Sequence, residues 1–388
     1  MLNYSLPKYP RPKKIPTAIG FRYSSRTSLS IFSILAPATT IAALLFVSLP
    51  IPLRAQFAYV ANENSGNISA YSIGPNGALT PVPGSPFAAW ITPFSVAVEP
   101  TGKFAYIVNN GDENVLAYSI GPNGALTPIP GSPFAAGFYP YSLAVDPTGK
   151  FLYVANSESA KVSAYSIGSN GALTRVPGSP FAAGQDPYSA AVDPTAKFAY
   201  LANFNSNSVS AYNIGSDGAL TRVPGSPFAA GVGPISVAVD PTSKFAYVAN
   251  FGSNSVSAYS IGPNGALTPI PGSPFAAGSD PTKVAVDPMA KFVYVANGGN
   301  GAGSVSAYSI GPNGALTPVP GSPFAAGSGP NDVAVDPTAK FAYVVNMGSN
   351  SVSAYSIGSN GALTPIPGSP FAAGSEPVSV AITRAVSK

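Results

Sequence analysis

Seven near-copies of one hexapeptide constrain this chain more than anything else in it. They begin at Phe57, Phe104, Phe151, Phe198, Phe245, Phe292 and Phe341, read FAYVAN or a close variant, and are followed by PGSPFAA 26 residues on, or 28 after Phe292. The interval is 47 residues five times and 49 once. Self-similarity at such a period means that one small unit, unable to bury its apolar surface alone, is stacked against copies of itself. With no linker break after Phe57, residues 56–388 are expected to form a single closed domain.

One unit, residues 94–137, reads as four strands. Phe94-Ser95-Val96-Ala97-Val98 is a short apolar run between Pro93 and Pro100, the pattern of a buried strand. Glu99-Pro100-Thr101-Gly102, Asp-Pro-Thr in most copies, is a hairpin turn capped by its acid. In the next strand Phe104, Tyr106 and Val108 share one face and Ala105 and Ile107 the other, a bulky and a slim apolar face suited to packing between like sheets. The third strand, 115–120, repeats the device, and Asn123-Gly124 supplies the positive φ of a tight turn. The fourth, through Ala125-Leu126-Thr127, is followed by Pro128, Pro130 and Pro133, which lack ladder donors, so it must lie at the outer edge.

Four antiparallel strands with a proline-rich edge make a propeller blade. The repeats start at a second strand (Phe57) and finish at a first strand (378–382), so the last strand can complete the sheet begun by the first three. The expectation is an all-β, seven-bladed propeller, the seventh blade built from residues 378–382 and 57–88.

The net charge of +4 misleads until it is located. Residues 1–55 hold seven of the 19 basic residues and none of the 15 acidic ones, leaving 12 against 15, a net of −3. The repeats thus carry no basic stripe, and nucleic acid is not an expected partner. In the leader, Lys8, Arg11, Lys13, Lys14, Arg22 and Arg26 precede an apolar run over about 29–53, which reads as an export signal or, uncleaved, an N-terminal membrane anchor. Either places the domain outside the cytoplasm, in the periplasm, at the cell surface or beyond it. With neither cysteine nor histidine, disulfides, thiol nucleophiles and the commonest general base and metal ligand are missing.

FAYVAN followed by VSAYSIG and NGALT, after a strand reading SVAVDPTGK, resembles the YVTN-repeat and lactonase-type seven-bladed propellers, whose bacterial enzymes include 6-phosphogluconolactonase. The resemblance spans 57–388. It implies channel chemistry by His and Arg side chains, but this chain has no His, and past the leader only Arg175, Arg222 and Arg384. Two of these sit on outer strands and one in the tail, so no catalytic residue is carried over.

Comparison among the seven copies locates a candidate site. The turns between strands one and two, and three and four, barely change. The loops between strands two and three and the connections between blades change almost every time, and this topology puts both on one face, the top. Once framework Phe and Tyr are set aside, eight aromatics remain outside the leader: Trp90, Phe94, Phe138, Tyr139, Tyr141, Tyr188, Phe204 and Phe251. All fall in top loops or at the entry of an innermost strand, in blades 1 to 4. Where five copies have Ser in that strand, blades 5 and 6 have Lys283 and Asp332, and blade 6 adds Asn331. Aromatic faces with a few polar groups suit a small molecule, a glycan or a protein segment; equally, the rings could plug the channel and Lys283 neutralise Asp332.

Other features read as framework. Asp146, Asp193, Asp240, Asp287 and Asp336 each precede Pro, as turn caps and not a metal ring, so no metal or cofactor is expected. Asn156, Asn250 and their copies satisfy loop backbone, and the glycine-rich stretch 298–303 lacks a phosphate-loop pattern. The first reading is therefore an exported, monomeric, non-catalytic binding module using its top face. The alternatives are a lactone hydrolase with Lys283 as electrophile and Asp332 as base or water-positioning group, and a structural cell-surface repeat protein.

Overall fold

The computed structural model describes residues 56–299 and 301–384; the expected export signal or anchor at 1–55 lies outside the described residues. Seven antiparallel sheets form the propeller. In blade 1 the innermost strand Pro93–Val98 pairs with Phe104–Asn109, which pairs with Asn114–Ile120. The outer edge departs from the single fourth strand read in the sequence. It is split into Leu126–Pro128 and Phe134–Ala135, both pairing with the third strand, through Tyr118 opposite Pro128 and Val115 opposite Phe134. The prolines interrupt the ladder, and a side chain fills the gap: the Ser132 hydroxyl, just before Pro133, accepts from the Ala117 N–H at 3.0 Å. The same bond recurs in the other blades, as from Ala70 to Ser85 and from Ala354 to Ser369 (both 2.9 Å).

Blades pack bulky face to slim face. Tyr106 and Val108 of blade 1 share a core with Leu152 and Val154 of blade 2, as Tyr153 and Ala155 do with Ala199 and Leu201 of blade 3. The second-strand tyrosine also reaches forward: the Tyr106 hydroxyl donates to Gly171 O, in the next blade's Asn-Gly turn, at 3.0 Å. The third-strand tyrosine reaches back, with Tyr118 donating to Ala88 O of the preceding blade at 2.6 Å. Burial raises both phenols, Tyr118 to about 12, so they stay protonated donors. Gly171 itself sits at φ +82°, and a Cβ there would meet the Phe104 ring at 2.6 Å, so the turn glycine is required twice over.

The ring closes as the termini of the repeat suggest. Pro377–Ile382 pairs antiparallel with Phe57–Asn62, and Tyr343 of blade 6 donates to Gly77 O of blade 7 at 2.8 Å. On the lower face the turn aspartates are caps. Asp146 Oδ1 accepts from Lys150 N and Phe151 N, both at 2.7 Å, while Oδ2 accepts from the Thr148 N–H and hydroxyl. Asn156, fully buried, accepts from Gly137 N at 3.0 Å and donates to Ser163 Oγ at 3.0 Å, the loop-satisfying role read in the sequence.

Candidate functional site at the channel mouth

Each innermost strand carries a β-bulge at the same place. In blade 2, Pro140 pairs with Asn156 and Ser142 with Ala155, so Tyr141 is the extra residue, unpaired. The same shift skips Phe94, Tyr188, Ile235, Thr282, Asn331 and Val378. A bulge re-aims the residue it leaves unpaired. These seven side chains line one small cavity at the channel mouth, of about 40 Å³ and partly open to solvent, with Lys283, Asp332 and several serines of the following position.

One side of the mouth is a file of rings. Phe94 and Tyr141 lie 4.3 Å apart between centroids, Tyr141 stacks on Tyr188 at 4.1 Å and 8°, Tyr188 meets Phe204 at 4.9 Å, and Phe204 meets Phe251 at 6.3 Å. Burial, then Tyr188 and Glu63, push the Tyr141 phenol far up, and burial, then Asp186 and Glu158, raise Tyr188. Both phenols are therefore neutral near pH 7, able to donate hydrogen bonds but not to serve as phenolate bases.

The opposite side is polar. Lys283 Nζ lies 3.6 Å from Asp332 Oδ1, the lysine side chain 35% exposed and the aspartate 5%. Asp332 replaces a serine whose usual task is to tie neighbouring innermost strands: Ser189 Oγ accepts from Val237 N and Ser236 Oγ from Val284 N, both at 3.2 Å. Asp332 keeps that task, its Oδ2 accepting from Val380 N at 3.0 Å, and adds a charge. Thr282 Oγ1 donates to Pro330 O at 2.9 Å, and Asn331 Nδ2 to Val378 O at 2.7 Å.

The rim is built from paired loops. The residue before each innermost-strand proline has positive φ, whatever its type: Thr92, Tyr139, Asp186, Gly233, Asp280, Gly329 and Glu376. Its carbonyl accepts from the first residue of the loop between strands two and three, as Tyr139 O does from Ser157 N (2.9 Å) and Glu376 O from Glu63 N (2.9 Å). Non-glycine residues are uncommon in this region, so the clamp holds five of the seven in a strained conformation. Glu63, half-buried, has its carboxyl raised by burial and by the Glu376 charge.

The eight aromatics of the sequence reading divide. Phe94, Tyr141, Tyr188, Phe204 and Phe251 form the file; Trp90, Phe138 and Tyr139 stand on the rim, 55, 60 and 46% exposed. Lys283, Asn331 and Asp332 come together opposite the file. Arg175 and Arg222 lie on the outer edge, donating to carbonyls of the preceding blade. Glu63 was missed. Its signal was present, since no other copy has an acid at that loop position, but only ring closure places it near Tyr141.

A propeller of seven antiparallel blades belongs to a known class. The family described as "Lactonase, 7-bladed beta-propeller" matches residues 49–186 and 169–366, and the chain belongs to it. Among solved structures, a candidate 6-phosphogluconolactonase from Bacteroides fragilis is similar over 85% of this chain and 98% of its own, with 21% identity and a TM-score of 0.75. A second, from Bacteroides uniformis, covers 85% and 99%, with 18% identity and a TM-score of 0.75. The periplasmic gluconolactonase of Pseudomonas aeruginosa covers 85% and 99%, with 17% identity and a TM-score of 0.69. No curated protein matches the sequence.

Proposed function

We propose that this protein is an exported lactone hydrolase acting at the top of its channel. The observation that carries the reading is the Lys283–Asp332 pair, 3.6 Å apart, facing the Tyr141–Tyr188 stack across one cavity in a lactonase-family propeller. The lactone ring lies against the edges of the stacked rings with its ester carbonyl toward Lys283. The ammonium polarises the carbonyl and stabilises the oxyanion that forms as water adds. Asp332, anchored by Val380 N–H, holds Lys283 in place and has acceptor capacity left to orient the water. The new carbon–oxygen bond comes from water and the ring carbon–oxygen bond breaks. The water proton passes to Asp332, the carboxylate of the cavity lining, which returns it to the leaving alkoxide.

A second reading, a binding module without catalysis, is favoured by the missing histidine and by Lys283 being already paired. A pH-stat assay of the purified protein on sugar and aliphatic lactones separates the two. Turnover that falls about a hundredfold or more in Lys283→Ala supports hydrolysis. Folded protein that never exceeds the spontaneous rate leaves the binding module.

A further inference from the structure

One rim residue breaks the repeat. The first residue of the three-residue connection between blades is Gly137, Gly184, Gly231, Gly278, Gly327 or Gly374, but Trp90 ahead of blade 1. In most copies this glycine N–H donates to the buried asparagine ending strand two, as Gly137 does to Asn156 (3.0 Å) and Gly327 to Asn346 (3.1 Å). A Cβ on Gly137 would stand 2.7 Å from the Asn156 amide carbon, so no larger residue fits that pose. Trp90 accordingly turns to φ +63°, and the fully buried Asn109 is left with an Oδ1 that has no hydrogen-bond partner. A strained backbone and an exposed indole trace to this one substitution and do nothing for the blade, while the orphaned oxygen recurs at Asn297, whose connection keeps its glycine.

Trp90 also has company. Ile91 is 64% exposed beside it, and Phe138 and Tyr139 occupy the next connection. These residues precede Phe94 and Tyr141, whose side chains line the cavity, by two to four positions in the chain, which sets them on the rim of blades 1 and 2 beside the mouth. The charge around the mouth points the same way. The cavity's one ammonium, Lys283, already faces Asp332, and Glu63, Asp186, Asp280 and Glu376 stand in the surrounding rim. A phosphorylated or carboxylated substituent meets repulsion there.

We infer that Trp90, with Ile91, Phe138 and Tyr139, is a ledge for an uncharged alkyl or aryl substituent on the ring held in the mouth, so that the ligand class is an alkyl-substituted lactone and not a phosphosugar lactone. The inference rests on the lactone reading above, and the test keeps the two apart. Trp90 is the only tryptophan in the chain, so its emission reports occupancy of the ledge directly. The protein is titrated with γ-lactones carrying methyl, butyl, hexyl and octyl groups, with glucono-δ-lactone as a polar control, following emission and hydrolysis.

The expected result is a saturable blue shift that grows with the alkyl group, and affinity rising by roughly fourfold per methylene that the ledge covers. In Trp90→Gly, which restores the residue of the other copies, the KM values for the octyl and methyl lactones converge, while the melting temperature holds or rises as glycine takes up the positive φ without strain. Hydrolysis with no dependence on chain length overturns the ledge and leaves the hydrolase reading standing. A chain-dependent blue shift without turnover supports the ledge and overturns the hydrolase. A melting temperature that drops in Trp90→Gly shows that the indole serves the fold, and overturns the ledge as a ligand surface.

Discussion

At the foot of each blade the chain makes the same turn almost every time; at the head it seldom makes the same connection twice. Asp193, at the foot of blade 3, is fully buried, and its Oδ1 accepts from Lys197 N and Phe198 N at 2.7 Å each. Asp186, at the head of the same blade, is half-exposed at φ +52°, and its carboxylate takes a hydrogen bond from Asn205 at the surface. Two aspartates seven residues apart, each followed by proline, thus stand in opposite relations to the fold. One is a structural acceptor for backbone that has no other partner. The other occupies a position that only the clamp on its carbonyl, 2.8 Å from Phe204 N, keeps in place. The lesson is that a repeat protein stores stability in what its copies share and leaves specificity to what they do not.

The largest effect expected on that contrast comes from the shared side. Tyr106→Ala removes a fully buried ring and the bond to Gly171, and should lower unfolding stability by about 4 kcal/mol, read from the midpoint of guanidinium unfolding. Asp193→Ala should cost about 2 to 3 kcal/mol, because the two amides it caps lose their acceptor. Asp186→Gly, by contrast, should be neutral or stabilising by up to about 1 kcal/mol, since glycine adopts positive φ without strain. Equal losses at the two aspartates would erase the distinction between foot and head.

The smallest effect concerns Glu63. Its carboxyl pKa is raised above the ordinary value of 4.5 by burial and by Glu376, so the folded state favours the protonated form. That contribution is fully present below 4.5 and is lost as pH climbs through the raised value. Glu63→Gln should therefore melt slightly above the wild type at pH 7, and the two curves should converge on going down to pH 4. A difference that widens toward acid would contradict the burial of Glu63 at the mouth.

Much of the architecture was legible in the chain because the signals were local and repeated. The period, the Asn-Gly turns, the aspartate before proline and the strand types at the two ends each carry their own short-range chemistry. The split outer edge was not legible in this way. The prolines announce lost donors, but that the Ser132 hydroxyl accepts the Ala117 N–H fifteen residues earlier depends on the fold of the whole edge. In the site, Lys283 and Asp332 stood out as departures at one register position, and their pairing follows from the ring bringing blades 5 and 6 side by side. The aromatics were legible as a set but not in their division, since the bulge that turns Phe94, Tyr141 and Tyr188 inward leaves no mark on composition. Trp90 could be read as an intruder on a glycine; the stranded oxygen of Asn109 could not.

The way the ring closes bears on how such a chain finds its own end during synthesis. The edge of Phe57–Asn62 emerges first and meets six innermost strands, among them PISVAV at Pro234–Val239, before its partner PVSVAI at Pro377–Ile382 exists. The earlier strands lead into an acid committed to its own turn. The last leads into Thr383, whose hydroxyl accepts from Phe57 N at 2.8 Å and whose N–H donates to Phe57 O at 2.9 Å. That threonine makes across the closure the pair of bonds that Asp146 makes with Phe151 inside its own hairpin, so the joint between the two ends repeats the chemistry of an unbroken turn.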